Sequence, residues 1–281
     1  MIPSIDETAL RGDRRDSKAR WLGAIMGLFV VVSAQAVFAA SDKNNGERNY
    51  GFKHFTPYSR VAQLPVVRNR GEVDYAATYA KGQAAALYLA DFVARYRDSD
   101  VLGADLIQGD DWVLGGTSKE CRKTRTCTDE EIAHAILGIP SPEPIDPALP
   151  MSPSNTRKAS VLDFCNEHFA KQALGVAPII GDRKVVNGYS HTPALPCEVA
   201  VWNDDQHIYV DMLDPNAIFS LFFTDVLFSA DMQDPAFAAA ISALPPQVKT
   251  EIKAIVQHAM TAFDPDTEVL DKALGPRYTS M

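Results

Sequence analysis

The 281-residue chain lacks the short signatures by which catalytic or nucleotide sites are commonly recognised. There is no Gly-x-Ser-x-Gly elbow, phosphate loop, Gly-x-Gly-x-x-Gly turn or His-Glu-x-x-His pair, so serine-hydrolase, P-loop, dinucleotide and zinc-protease chemistries have no anchor. Without Cys-x-x-Cys-His, covalent haem attachment has no motif either. Positive charge is in deficit: 27 Lys and Arg stand against 36 Asp and Glu, a net charge of −9. Nothing in that balance gathers phosphates, which argues against nucleic acid as a partner, and the dilute acidity reads as a soluble surface. Cysteine is scarce, with four in the chain, and these few carry most of the candidate chemistry.

What is present begins with an address. Arg11, Arg14, Arg15, Lys18 and Arg20 precede the apolar run from Trp21 to Ala40, with small residues at Ala34–Ala36 and at Val37–Ala39. A basic region, an apolar run and a small-residue cleavage pattern form a secretory signal. The run is also near the roughly 20 residues needed to cross a bilayer, so residues 1–40 read as a signal peptide or an N-terminal anchor in the inner membrane. The expected location is exported and periplasmic.

Residues 41–139 read as a helix-containing N-terminal region. Ser41 to about Arg70 is polar and irregular, and "SDKNNGERNYG" at its start reads as a tether. From Asp74 to Arg97, Tyr75, Tyr79, Ala86, Leu89, Val93 and Tyr96 fall at helical spacing and predict a long amphipathic helix with its tyrosines in the core. "VLGADLIQGDDWVLGG" predicts one or two short strands. In "TDEEIAHAILG", Thr128 and Glu131 form a capping box, and Gly138 suits the helix C-terminus. Six prolines within "IPSPEPIDPALPMSPS" then mark a connector over 140–157, which by this reading neither continues a helix nor sits inside a sheet.

Beyond it, "ASVLDFC" reads as a strand running into the helix "NEHFAKQALG", closed by Gly175. "LPCEVAVW" and "HIYVDML" alternate with period two around "NDDQ", a hairpin. Asp214 is the expected N-cap of the next helix, with Pro215 at its first position. In "PQVKTEIKAIVQHAM", Val248, Ile252, Ile255, Val256 and Ala259 share one helical face. The fold class is α+β: a small antiparallel sheet packed with helices, plus a helical C-terminal extension over 217–281.

Residues 158–216 also resemble the domain of unknown function 302 family. Its members carry a Cys-Asn pair opening a helix and a Pro-Cys pair opening a hairpin that ends near Asn-Pro or Asp-Pro. The matching positions are Cys165 and Asn166, Pro196 and Cys197, and Asp214 with Pro215. Glu167 replaces the usual proline after Cys-Asn, and the spacer before His191 is long. The resemblance implies a compact α+β fold, often dimeric, and no established activity, cofactor or substrate.

Four cysteines in an exported chain predict disulfides first, and "CRKTRTC" favours Cys121 with Cys127 and Cys165 with Cys197. Two sharper readings stand beside this. Cys165 at a helix N-terminus would be a thiolate, able to cycle with Cys197 as dithiol and disulfide in a redox protein. Alternatively Cys165, His168, His191 and Cys197 form a chemically sensible set for zinc, copper or a haem iron. The acids of "FDPDTEVLD" lack the glycine of a calcium loop and read as a solvated turn. "AIFSLFFTDVLFSA", Ala217 to Ala230, is too short to span a bilayer and reads as a buried helix, with a dimer face, a ligand wall or a partner-docking surface as alternatives. The expectation drawn from all of this is a non-enzymatic binding or accessory protein centred on Cys165 and Cys197, for a small ligand or protein partner the residues do not name.

Overall fold

The computed structural model describes residues 58–95, 112–144, 148–149, 156–195 and 197–274. The expected leader over 1–40, the expected tether that follows it, and Tyr96 of the expected tyrosine stripe lie outside them. Among the described residues no helix is long and apolar enough to cross a membrane.

The architecture is α+β. A seven-stranded antiparallel sheet runs in the order β4-β6-β7-β8-β1-β9, with β5 also pairing β6. Its strands are β1 (Tyr58–Pro65), β4 (Trp112–Leu114), β5 (Leu137–Pro144), β6 (Thr156–Asn166), β7 (Cys197–Asn203), β8 (His207–Leu213) and β9 (Glu268–Leu274). A separate two-residue hairpin, β2 (Arg68–Asn69) with β3 (Glu72–Val73), turns through Arg70 and Gly71, both at positive φ.

Two long helices supply the layer that buries the sheet's apolar face. Helix α1 (Tyr75–Arg95) and helix α7 (Pro235–Phe263) pack on each other and on the strands. The pleat sends Leu162, Phe164, Val199, Val201, Ile208, Val210 and Met212 into this core. Of the expected stripe on α1, Ala86, Leu89 and Val93 are buried, together with Gly82, Ala85, Ala90 and Ala94, whereas Tyr75 and Tyr79 are only half-buried. Small side chains let the helix backbone approach the sheet closely, and a Cβ added at Gly82 would already touch Ile208. On α7 the expected stripe of Val248, Ile252, Ile255, Val256 and Ala259 is buried, and the helix reaches back to Pro235 through Pro245 and Pro246.

Three other expectations change. The stretch read as irregular up to about Arg70 contains β1, which lies between β8 and β9 with Val61, Ala62 and Leu64 fully buried. The first part of the proline-rich segment forms β5, paired with β6 through Pro140↔Lys158 and Pro144↔Thr156. A strand that pairs on one side tolerates prolines, because the missing amides are not needed by a second neighbour. Gly138 belongs to β5 and caps nothing; α3 (Asp129–His134) ends at Ala135, while its Thr128–Glu131 capping box is formed as expected.

The hairpin β7–β8 turns at Asp204, whose Oδ1 accepts from the amides of Gln206 and His207. Asn166 caps α4 (Glu167–Ala173), and Asp214 caps α5 (Pro215–Phe222) with Pro215 in its first turn. The apolar segment from Ala217 is broken rather than continuous: α5 stops at Phe223, and α6 (Thr224–Leu227) follows. Phe219, Phe223 and Val226 face inward, leaving Leu221, Phe222 and Phe228 exposed.

Candidate functional site

An apolar cavity of about 70 Å³ lies at the end of the sheet, where β4, β6 and β7 meet α4, α5 and α7, and it is open to solvent on one side. Its size is several times what one water needs, and its lining offers little for water to bond. Trp112, Phe164, Phe169, Ile218, Phe219 and Val248 provide the apolar wall, and the polar atoms that reach it belong chiefly to Cys165, Asn166 and Cys197. The local sequence explains this grouping. Strand β6 ends in Cys165 and Asn166 because the Asn166 side chain accepts from the Phe169 amide and starts α4, which turns Phe169 and Ala173 inward. Pro215 starts α5 one residue after β8, bringing Ile218, Phe219 and Phe223 down as the opposite wall.

Trp112 is fixed by a residue that the sequence reading did not single out. Its indole Nε1 donates to Glu251 Oε2 at 2.7 Å, and Glu251 is only 1% exposed. The signal was present: Glu251 stands three residues after Val248 and four before Ile255, inside the apolar stripe of α7.

The cysteines divide into two kinds. Cys121 and Cys127 are joined as a disulfide across the turn that follows α2 (Lys119–Thr124), in the pairing expected. Cys165 and Cys197 are free thiols, both half-buried, so the bridge favoured for them is not formed. The register explains why. Cys197 pairs with Phe164, which sets Cys165 one residue out of line and on the alternate side of the pleat. Burial pushes the Cys165 thiol up from its ordinary value; Arg122 opposes that rise, while Glu167 and Asp163 add to it. Burial likewise pushes the Cys197 thiol up to about 12, with a further contribution from Cys165. For Cys165 the direction is opposite to the one expected for a thiol at a helix N-terminus, and burial is its largest cause.

The metal reading meets a similar result. Among the described residues no three His, Cys, Asp or Glu side chains converge as a set that could hold an ion. His168 packs edge-on to Phe169. His191 is buried with both ring nitrogens engaged, Nδ1 at 3.1 Å from the Ala173 carbonyl and Nε2 at 2.8 Å from Asp225 Oδ1.

A second polar cluster escaped the sequence reading because its centre lies on β1. Arg60, only 6% exposed, donates to both carboxylate oxygens of Asp211 at 2.8 and 3.2 Å. Its guanidinium lies 3.6 Å from the centre of the Tyr209 ring, and Trp202 Nε1 donates to Asp211 Oδ2 at 2.7 Å. These groups already satisfy one another, so the cluster reads as a fastening across β7, β8 and β1.

No protein-family model, curated protein or solved structure matches the chain.

Proposed function

We propose that this is an exported, non-enzymatic binding protein that holds a small apolar molecule in the cavity at the end of the sheet. The observation that carries the reading is the cavity itself: enclosed on most sides by aromatic and aliphatic side chains, with only a few polar atoms able to orient a guest. The state of the two thiols favours binding over redox catalysis, because burial holds both in the protonated form, which is neither nucleophile nor good metal ligand. Export is supported by the basic and apolar leader, and a disulfide at Cys121–Cys127 suits an oxidising compartment such as the periplasm. The resemblance to the domain of unknown function 302 family fits the same site: Cys165, Asn166, Cys197 and Pro215, which carry its motifs, all line the cavity.

The test is a fluorescence titration with N-phenyl-1-naphthylamine, a neutral probe that brightens in apolar surroundings. Saturable one-to-one binding is expected, abolished or strongly weakened in Ala170→Phe, which extends a half-buried lining residue into the space. A folded wild-type chain that shows no saturable binding, or an undiminished response in the filled variant, would refute the reading.

One observation supports a second reading, in which α5 and α6 dock on a partner. Phe222 and Phe228 are 41% and 71% exposed, high for phenylalanine in a chain with a well-filled core. Phe228→Glu would leave the monomer folded and remove any self-association seen by sedimentation. An unchanged monomeric profile in wild type and variant would dismiss a dimer built on this face.

A further inference from the structure

His191 stands in the 3₁₀ turn Gly188–Ala194 and is 1% exposed. Both of its partners, the Ala173 carbonyl and the ionised Asp225 carboxylate, can only accept hydrogen bonds. A neutral imidazole brings one N–H and the imidazolium brings two, so the protonated ring is the form that fills both contacts. The ring face stacks on Phe223 with centroids 4.1 Å apart, and Phe223 stacks on Phe219 at 4.2 Å. Ala173, Phe219 and Phe223 all line the apolar cavity. A single titratable side chain thus joins the end of α4 to α6 and braces the wall between them.

We infer that His191 is a pH-operated clamp on the cavity: protonated, it ties α4 to α6 and holds the Phe219–Phe223 wall closed; deprotonated, it gives up one of the two bonds and the wall loosens around its guest. This rests on the reading of the cavity as a ligand site.

The groups that face the ring come from every element packed against it. From α6 the charged group facing it is Asp225. Beyond Asp225, Asp231 lines the same polar hollow of about 170 Å³, but its carboxylate is taken by Arg183, which also holds Asp234. From α4 comes the negative end of the helix, through the Ala173 carbonyl, while Lys171 pairs with Glu167 on the exposed flank. From α5 come the two phenyl rings, and on its own segment Tyr189 points largely to solvent. Cys165 and Cys197 are among the residues that line the same cavity. The clamp is complete at low pH and is lost as pH rises through the titration of the ring.

The test compares the full mature chain with Asp225→Asn and His191→Gln. An asparagine can accept from a protonated ring or donate to a neutral one, so D225N removes the pH dependence while keeping a bond at either extreme. Two readouts are taken between about pH 5 and pH 8, the range over which histidine changes charge. One is the amide hydrogen-exchange rate across residues 218–228 relative to D225N at the same pH, which cancels the intrinsic pH dependence of exchange common to both. The other is the dissociation rate of N-phenyl-1-naphthylamine by stopped flow. In the wild type both are expected to rise by about tenfold with pH, the effect of losing one buried hydrogen bond, while the variants stay level. Identical pH profiles in wild type and D225N would overturn the clamp, whether or not His191→Gln folds. Probe binding at no pH, with exchange still slowed at low pH relative to D225N, would sink the ligand reading instead and with it any clamp on a ligand.

Discussion

Lys249 Nζ lies 2.7 Å from Asp214 Oδ2, and Ser59 Oγ donates to the same oxygen at 2.9 Å, so one carboxylate fastens α7 and β1 to the start of α5. Its other oxygen accepts from the backbone and side-chain amides of Asn216, as an N-cap does. Burial alone would raise the Asp214 carboxyl, but the hydrogen bonds from Lys249, Ser59 and Asn216 outweigh it and hold the group below the ordinary aspartate value. A carboxyl depressed in the folded state contributes stability above its unfolded pKa and loses it as pH falls through the folded one. Asp214→Ala is therefore expected to lose about 2–4 kcal/mol near neutrality, a cap together with buried bonds to a charged partner. The wild-type advantage should shrink in urea melts carried into the acid range. A difference independent of pH would show that Asp214 acts through packing alone.

Arg60 and Asp211 make a harsher case because neither reaches solvent to any extent. Removing one member of a buried pair leaves the other charge without compensation, an effect of about 3–5 kcal/mol. Arg60→Met should destabilise by that order, and Arg60→Lys by less, since a lysine keeps the charge but not the paired donation or the flat contact with Tyr209. If Arg60→Met and Asp211→Asn together were no worse than either alone, the coupling would be confirmed by a double-mutant cycle. Simple additivity would refute it.

How much of this was legible depends on the range over which each signal acts. Short-range chemistry read well: the Thr128–Glu131 box, the Asp214 cap and the hairpin around Asp204 depend on residues a few positions apart. The class of fold followed from them. The failures are non-local. β1 reads as irregular because Tyr58, Ser59, Arg60 and Gln63 interrupt its apolar residues, and only pairing with β8 and β9 shows it to be a strand. β5 was discounted for its prolines, a rule that fails for a strand with one partner. Cys165 and Cys197 were correctly brought to one place, yet their relation turns on a register of one residue, which no spacing in the chain reveals. The candidate cavity was visible only through its cysteines; Trp112, Ile218 and Val248 are ordinary core residues until the walls are assembled.

The Cys121–Cys127 bridge closes a short loop, six residues apart in sequence. On the chain-entropy account a loop of this length is worth about 2 kcal/mol, less than a long-range bridge. The double replacement Cys121→Ser with Cys127→Ser is expected to lower the urea midpoint accordingly, with the rest of the fold retained. Collapse of the whole fold on reduction would mean that this small bridge holds more than its own loop.

The last prediction separates two ways in which glycine is required, using three positions on one stretch of chain. Gly181 has φ +55 with nothing within 4 Å of an added Cβ, so alanine there meets conformational strain alone, about 1–2 kcal/mol. At Gly188 no positive φ is involved, yet a Cβ would fall 2.1 Å from the carbonyl carbon of Leu174, a purely steric conflict with backbone. Gly175 combines both, with φ +66 and a Cβ 2.3 Å from the Val185 carbonyl oxygen. Leu174 and Gly175 follow α4 directly, and Gly188 opens the turn that carries His191, so this contact sets the distance between the Ala173 carbonyl and the His191 ring. Gly181→Ala should be mildly destabilised with probe binding intact. Gly188→Ala must push the two segments apart, and even where it folds it should lose the pH dependence of probe release along with stability. Equal melting shifts for Gly181→Ala and Gly188→Ala, with binding the same in both, would show that the segments yield easily and that their close approach does not position His191.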